Sequence, residues 1–113
     1  MIPAGHEVWL ALEPIDMRSG IDGLSLRVRQ QLGSRPTDGR LYAFRNRRGN
    51  RLALLVWDGT GVWLAKRRLH QGRFTWPQST APLHPLEAAQ WQALLTGVDW
   101  QRLVAKASPQ WRL

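Results

Sequence analysis

The sequence contains no cysteine and no long apolar run, and each absence excludes a class of protein. Without cysteine among its 113 residues, the chain holds no disulfide, no thiolate metal site and no cysteine nucleophile. No uninterrupted apolar run approaches the roughly 18 residues that a membrane-spanning helix needs. Residues 1–14 also lack the basic leader and apolar core of a secretory signal. We therefore expect a cytoplasmic protein without a membrane partner.

Acidic residues are also few, and the excess of positive charge falls in one segment. The chain has 16 Lys and Arg against 8 Asp and Glu, a formal net charge of +8. Residues 40–77 carry nine bases and one acid, Asp58, so their own net charge is also +8. The nine bases are Arg40, Arg45, Arg47, Arg48, Arg51, Lys66, Arg67, Arg68 and Arg73. The basic character is therefore local.

An uncompensated local patch favours a polyanionic partner such as nucleic acid, because a bound anion relieves the self-repulsion. The alternative is a solvated face, which is what a run of charges usually forms. Fourteen of the sixteen bases are Arg. Arg grips phosphate through a planar fork, but an Arg bias also arises from a GC-rich genome, and composition leaves both explanations open.

The basic segment has the pattern of a β-meander. Within residues 40–77, short apolar runs alternate with polar breaks that contain glycine, which is typical of strands joined by tight turns. Residues 51–57 include five apolar residues in succession and predict a central strand buried on both faces. Phe74 and Trp76 predict a last strand that ends at Pro77.

A first strand at residues 7–12 and two helices are predicted outside the meander. Ser19 and Asp22 resemble a capping box at the start of the first helix, and Gly33 is a natural end for it. The apolar residues at helical spacing between them are Ile21, Leu24, Val28 and Leu32. Pro85 predicts the first turn of the second helix.

These elements predict an α+β fold, with a four- to five-stranded antiparallel meander sheet and two helices packed on one face. At this length the chain fits a single compact domain, which we assign to residues 1–103. Residues 104–113 have little pattern and are assigned as a C-terminal tail.

The chemistry-bearing residues favour a protein that is not an enzyme. The acids are scattered singly, and His6, His70 and His84 lack metal-ligand spacing, so we expect no catalytic residues, no metal and no cofactor. Residues 58–61, Asp-Gly-Thr-Gly, lie between two predicted strands and are a hairpin turn rather than a phosphate cradle. A small-molecule substrate is not expected either.

Three tryptophans allow two interpretations. Trp57, Trp63 and Trp76 interleave with Arg on neighbouring strands, as in sheets that stack unpaired bases. Small domains also bury Trp in their cores, and this is the favoured interpretation for Trp57 and Trp76. Trp63 is the better candidate for the surface.

Five blocks of the sequence, in order over residues 9–100, resemble one known family. They are Asp16-Met17-Arg18-x-Gly20-x-Asp22-Gly23-Leu24, Phe44-Arg45-Asn46-Arg47-Arg48-Gly49, Trp57-Asp58-Gly59-x-Gly61, Arg68-Leu69-x-x-Gly72-Arg73-Phe74-x-Trp76-Pro77, and Leu94-Leu95-x-Gly97-Val98-Asp99-Trp100. They are similar to the TnpB-type accessory proteins of the bacterial insertion-sequence family 66, which are encoded beside a separate DDE transposase. The RNA-guided nucleases of the same name are a different group.

The resemblance implies a role in transposition, with no agreed biochemical activity and no established catalytic residues. The chain departs from the family pattern at Asn50 and His70, where acidic residues are usual, and at Ala65, where an aromatic residue is common. The first two departures make the predicted sheet more basic, and the third affects its aromatic contacts.

Charge and resemblance together predict a non-catalytic transposition accessory protein that binds DNA, with the element ends as target. The expected nucleic-acid-binding residues are Arg45, Arg47, Arg48, Arg51, Lys66, Arg67, Arg68, Arg73 and Trp63. The transposase of the same element is the other expected partner. The alternative hypothesis is an interaction module that docks on the transposase through its Trp-rich face without binding DNA directly.

Overall fold

Five strands and two helices make up the computed structural model of the chain, which describes residues 7–33, 39–78, 81–96 and 101. In chain order they are β1 (Glu7–Ala11), α1 (Ile21–Gln30), β2 (Arg40–Arg45), β3 (Arg51–Trp57), β4 (Val62–Arg68), β5 (Leu83–Leu86) and α2 (Ala88–Leu95). The strands form one sheet in the order β4-β3-β2-β1-β5. The α+β class and a mostly antiparallel sheet are therefore confirmed.

The sheet is mixed rather than wholly antiparallel. β1 pairs in parallel with β2, and the other three strand pairs are antiparallel. Parallel neighbours need a crossover connection, and α1 supplies it between β1 and β2. The prediction of an antiparallel meander was wrong at this pair. As a consequence, β1 and β2 end at the same end of the sheet.

The two helices cover opposite faces of the sheet, so the prediction that both pack on one face was wrong. Trp91 and Leu94 of α2 share one core cluster with alternate residues of β2 and β3, such as Leu41 and Leu54. A second cluster joins α1 to the intervening strand residues; its fully buried members include Leu24, Val28, Tyr42, Phe44 and Leu55. Successive strand residues point to opposite faces, and because β2 and β3 are apolar on both, both faces need a cover.

The predicted central strand is confirmed, and its neighbours explain its burial. β3 lies between β2 and β4, and Leu52, Leu54 and the three other apolar residues of its middle are buried. Burying this much apolar surface is the main stabilising contribution that a domain of this size has. Arg51, the basic residue at the start of the strand, is therefore held on a rigid element.

The chain after β4 differs from its prediction. Phe74 and Trp76 do not form a strand; both pack on the α2 side of the core, and the Trp76 indole nitrogen donates to the Ala11 carbonyl at 2.7 Å. The fifth strand is Leu83–Leu86 and contains Pro85, which was predicted to begin a helix. β5 is an edge strand, where a missing backbone N–H is tolerated.

The helix ends differ from the sequence pattern in one case and agree in another. Gly20 is the residue before α1 and no side chain caps the helix, so the capping box of Ser19 and Asp22 was wrong. Gly33 has a φ of 65°, the left-handed conformation expected shortly after a helix end. The last four residues of the fifth resemblance block, 97–100, and the predicted domain boundary between residues 103 and 104 lie outside the described residues. Within those residues, neither helix is long and apolar enough to cross a membrane.

Candidate nucleic-acid interface

The topology brings three loops together at one end of the sheet. β1, β2 and β4 end there and β3 begins there, so residues 12–20, 46–50 and 69–78 are neighbours. Backbone hydrogen bonds join them: Ile15 N–H donates to the Arg45 carbonyl at 2.8 Å, and Leu69 N–H donates to the Asn50 carbonyl at 2.9 Å. We call this the basic end, because most of the predicted site residues lie on these loops or beside them.

A groove runs across the basic end on the side of α1. Two adjoining concavities share Met17 and Arg51, and together they form what we call the basic groove. It is lined by Ile15, Asp16, Met17, Arg18, Asn46, Arg47, Arg48, Arg51, Lys66, Arg67 and Arg68. Seven of these eleven residues are cationic and one is acidic, and the side chains of six of the seven cations lie on the α1 side; that of Arg67 points to the other face. The surface is therefore strongly positive, as a polyanion site requires.

The turn at residues 46–51, which we call the amide turn, is built by two asparagines. Asn46 donates its amide N–H to the Asn50 side chain at 2.8 Å and accepts the Arg51 backbone N–H at 3.0 Å. Gly49 supplies the left-handed conformation, with a φ of 77°. Arg47 and Arg48 are exposed on this rigid turn, and no acid of the described residues forms an ion pair with them.

Arg51 and Arg68 face each other directly across β3 and β4. Both are exposed, and both belong to the α1 side of the sheet, since Arg51 is two residues from Ala53 of the α1 cluster. Like charges directly opposite on neighbouring strands are destabilising. In the described part of the chain neither has an acidic partner. A bound anion between them would remove this repulsion.

Asp16 is the acid of the basic groove, and Arg18 neutralises it. The carboxylate accepts the Arg18 backbone N–H at 2.9 Å and two guanidinium N–H groups, from Nε at 3.1 Å and Nη2 at 2.7 Å. These bonds lower the pKa of Asp16 from 3.8 to about 2. The carboxylate stays ionised at neutral pH. Its charge and that of Arg18 cancel, so the net positive charge of the groove comes from the other cations.

Two predicted site residues on β4 have a structural role as well. Lys66 Nζ donates to the Met17 carbonyl at 2.5 Å and to the Ser19 carbonyl at 3.3 Å, which fastens the loop after β1 to the sheet. Arg67 points to the other face, where its Nη1 donates to the Leu95 carbonyl at the end of α2. Both side chains are therefore partly occupied by the protein itself.

Arg45 and Arg73 border the groove without lining it. Arg45 is half-buried, and its guanidinium donates to the carbonyl of Leu12 at 3.3 Å and of Asn46 at 3.4 Å. Arg45 thus links the end of β1 to the amide turn. This structural role was not indicated when Arg45 was counted among the basic residues. Arg73 is exposed beside the same turn. A Cβ added at Gly49 would lie 3.8 Å from the Cβ of Arg73.

Trp63 lies away from the groove, although it was grouped with the cations. It is 56% exposed, near the opposite end of β4, and it points to the α2 side of the sheet while Lys66 points to the α1 side. Its indole N–H donates to the Asp58 carboxylate at 2.5 Å. As predicted, Trp63 is at the surface and Trp76 packs against the core; Trp57 is half-buried.

The turn at residues 58–61, which we call the carboxylate turn, confirms the predicted hairpin between β3 and β4. Asp58 accepts the backbone N–H groups of Thr60 and Gly61, both at 2.8 Å, besides the indole N–H of Trp63 and the Thr60 hydroxyl. These donors, led by the Thr60 backbone N–H, hold the pKa of Asp58 well below its ordinary value. Its charge is therefore engaged locally.

The sequence pattern missed Arg18 and Met17, which line the basic groove beside Asp16. Arg18 lies before residue 40 and was outside the basic segment, and Asp16 was counted only among the singly scattered acids. Their place follows from the parallel pairing of β1 with β2, which no local pattern announces. In the described residues, no group of three or more His, Asp and Glu side chains is arranged to hold a metal ion.

Comparison with known proteins agrees with the resemblance seen in the sequence blocks. The family profile of the IS66 Orf2-like proteins matches residues 6–105. The uncharacterized protein y4hO of Sinorhizobium fredii is 41% identical over 103 residues, which cover 89% of this chain and 90% of that protein. The uncharacterized protein y4jC of the same organism is 31% identical over 102 residues, or 90% and 87% of the two chains. No solved structure matches. The chain belongs to the IS66 Orf2-like family, the accessory proteins of these insertion sequences.

Proposed function

We propose that the protein is a non-catalytic accessory factor of insertion-sequence transposition that binds DNA through its basic groove, with the ends of the element as target. The observation that carries the proposal is the charge of the groove, where six cations on the α1 side stand against one acid that is already paired with Arg18. The unrelieved approach of Arg51 and Arg68 supports it further, since a folded protein gains nothing from two facing cations without an anion.

The binding acts mainly through backbone phosphates. Arg47, Arg48, Arg51 and Arg68 are exposed, and their forks match phosphate oxygens. Each phosphate contact releases condensed counterions, so affinity is strongly salt-dependent. Phosphate contacts fix position and orientation rather than sequence. Selection of the element ends would then depend on DNA shape or on the transposase bound beside the protein.

The test is a titration of labelled duplex DNA with the purified protein across a salt series. Four or five phosphate contacts predict that log affinity falls against log salt with a slope of about −4. One duplex carries the element end and a second carries an unrelated sequence, so that any preference is measured together with the slope. Absence of binding at low salt, or an affinity independent of salt, would contradict the proposal.

A second candidate function, docking on the transposase, is favoured by Trp63. An exposed Trp whose indole is fixed by Asp58 is a preorganised anchor, and such residues carry much of the energy at protein interfaces. This surface is separate from the basic groove. Trp63→Ala should lower co-purification with the transposase and leave DNA binding unchanged, whereas unchanged co-purification would remove the candidate.

A further inference from the structure

We propose that residues 16–18 form a second wall of the DNA site, in which Arg18 binds a backbone phosphate and Asp16 is the positioning residue that orients it. This inference rests on the proposed function and deepens it, because it adds two residues outside the basic segment. The first wall is the amide turn with Arg47 and Arg48. Residues of both walls line the same concavity of the groove.

Arg18 keeps donors for a ligand while Asp16 holds it. A guanidinium has five N–H groups, and Asp16 engages those of Nε and Nη2. The side chain of Arg18 remains 90% exposed. A side chain this exposed normally samples many rotamers, and restricting it before binding reduces the entropy that a phosphate contact has to overcome. The ion pair therefore restricts the rotamers of Arg18 and still leaves N–H donors for a phosphate.

The turn that carries the pair is itself fixed on the sheet. Ser19 N–H donates to the Asp16 carbonyl at 3.0 Å, and Lys66 Nζ holds the carbonyls of Met17 and Ser19. Ile15 N–H is bonded to the carbonyl of Arg45, next to the amide turn. The distance between the two walls is thus set by the protein and not by a mobile loop, as a preformed binding site requires.

The alternative explanation is an ordinary surface ion pair, which contributes little to stability. The two explanations predict opposite signs for one substitution. Asp16→Asn removes a negative charge from a basic groove, and on charge alone this should strengthen DNA binding. If Asp16 instead orients Arg18, the same substitution should weaken binding, although it raises the net charge of the protein.

The experiment measures duplex affinity across a salt series for the wild type, Arg18→Ala, Asp16→Asn and the double variant. We expect Arg18→Ala to make the slope shallower by about one, since one phosphate contact is lost. Asp16→Asn should lower affinity, and the double variant should match Arg18→Ala alone, because Asp16 acts only through Arg18. The matched control is Glu13→Gln, which removes the charge of a neighbouring exposed acid outside the groove and should not lower affinity.

The melting temperature of each variant separates folding from binding, and Arg18→Gln provides a second test that keeps more of the side chain. Tighter binding by Asp16→Asn, or an unchanged slope for Arg18→Ala and Arg18→Gln, would overturn this inference. If Arg47→Ala makes the slope shallower in the same assay, the proposed function survives that failure. A wild-type protein that does not bind DNA overturns both proposals.

Discussion

The two turns that bracket β3 solve the same structural problem with different chemistry. The carboxylate turn is held by Asp58, whose charged carboxylate accepts hydrogen bonds from three residues of its own hairpin. The amide turn is held by Asn46 and Asn50, which are neutral. Both arrangements satisfy backbone groups that a tight turn would otherwise leave unpaired. Only the amide turn does so without a negative charge, and it is the turn that carries the exposed Arg47 and Arg48.

This difference indicates how one end of a small domain stays positive. A structural carboxylate at the basic end would pair with Arg47 or Arg48 and reduce the field that attracts a polyanion. The asparagines keep the turn rigid and leave the cations unpaired by any acid of the described residues. The acid that does line the groove, Asp16, is committed to Arg18.

The largest effect is expected from removing the cations that the amide turn presents. Arg47→Ala with Arg48→Ala should weaken binding to all duplex sequences and make the salt slope shallower by about two. Stability should stay within about half a kcal/mol of wild type, since both side chains are exposed. The control is Arg27→Ala with Arg29→Ala, which removes two charges from the last turn of α1. Equal losses in the two double variants would mean that only net charge matters.

The next effect is structural and comes from the turn itself. Asn46→Ala removes two side-chain hydrogen bonds, to Asn50 and to the Arg51 N–H, and should lower the free energy of unfolding by about 1 to 2 kcal/mol. It should also weaken DNA binding at temperatures where the variant is folded, because the arginines lose a fixed support. Denaturant unfolding and the duplex titration measure the two effects. Asn50→Ala, which loses one of the two bonds, should lie between wild type and Asn46→Ala.

A smaller effect is expected from making the two turns alike in charge. Asn50→Asp keeps an acceptor for the Asn46 amide, so the turn should form as before. The new carboxylate lies among the cations and should lower duplex affinity about threefold, which corresponds to one screened charge interaction of about 0.6 kcal/mol. Thr60→Asp adds the same charge at the carboxylate turn and is the control. If both variants bind alike, the position of the charge is irrelevant.

The smallest effect concerns acid stability at the carboxylate turn. The pKa of Asp58 is lowered in the folded protein by the Thr60 N–H, the Trp63 indole and the Gly61 N–H. A depressed pKa contributes stability above the unfolded value of about 3.8, and this contribution is lost as the pH falls through the folded value. Asp58→Asn should therefore melt below wild type at pH 7, and the gap should narrow towards pH 2. A constant gap would contradict this account.

Strand and helix patterns predicted much of the fold because they depend on local residues. The apolar run of β3 predicted a buried strand, and the spacing of Leu24 and Val28 predicted α1. Phe74 and Trp76 alternate like a strand but turn across the core, and Pro85 resembled a helix start although it lies on a sheet edge. In both cases tertiary packing decided between structures that the local sequence permits.

The candidate site was predicted only in part, because the sequence shows where the charges are but not which strands lie side by side. The charge of residues 40–77 located Arg47, Arg48, Arg51 and Arg68, which line the groove. It did not reveal that Arg45 is half-buried and bonded to carbonyls, or that Trp63 lies on the other face. Strand register decides which cations face each other, and register depends on partners distant in sequence. Arg18 was missed because it reaches the groove through the parallel pairing of β1.

That parallel pairing makes the order of folding part of how the groove is assembled. The hairpins of β2, β3 and β4 are joined by short turns. Val8 of β1 pairs with Leu41 of β2, and all of α1 lies between these two residues in sequence. Contacts distant in sequence form later because loop closure opposes them, so we expect one wall of the groove to exist before the other. A DNA backbone that touches both walls would hold β1 in place, since a ligand stabilises the state that binds it. Amide hydrogen exchange in β1 should therefore slow when DNA is bound, more than exchange in β3 does.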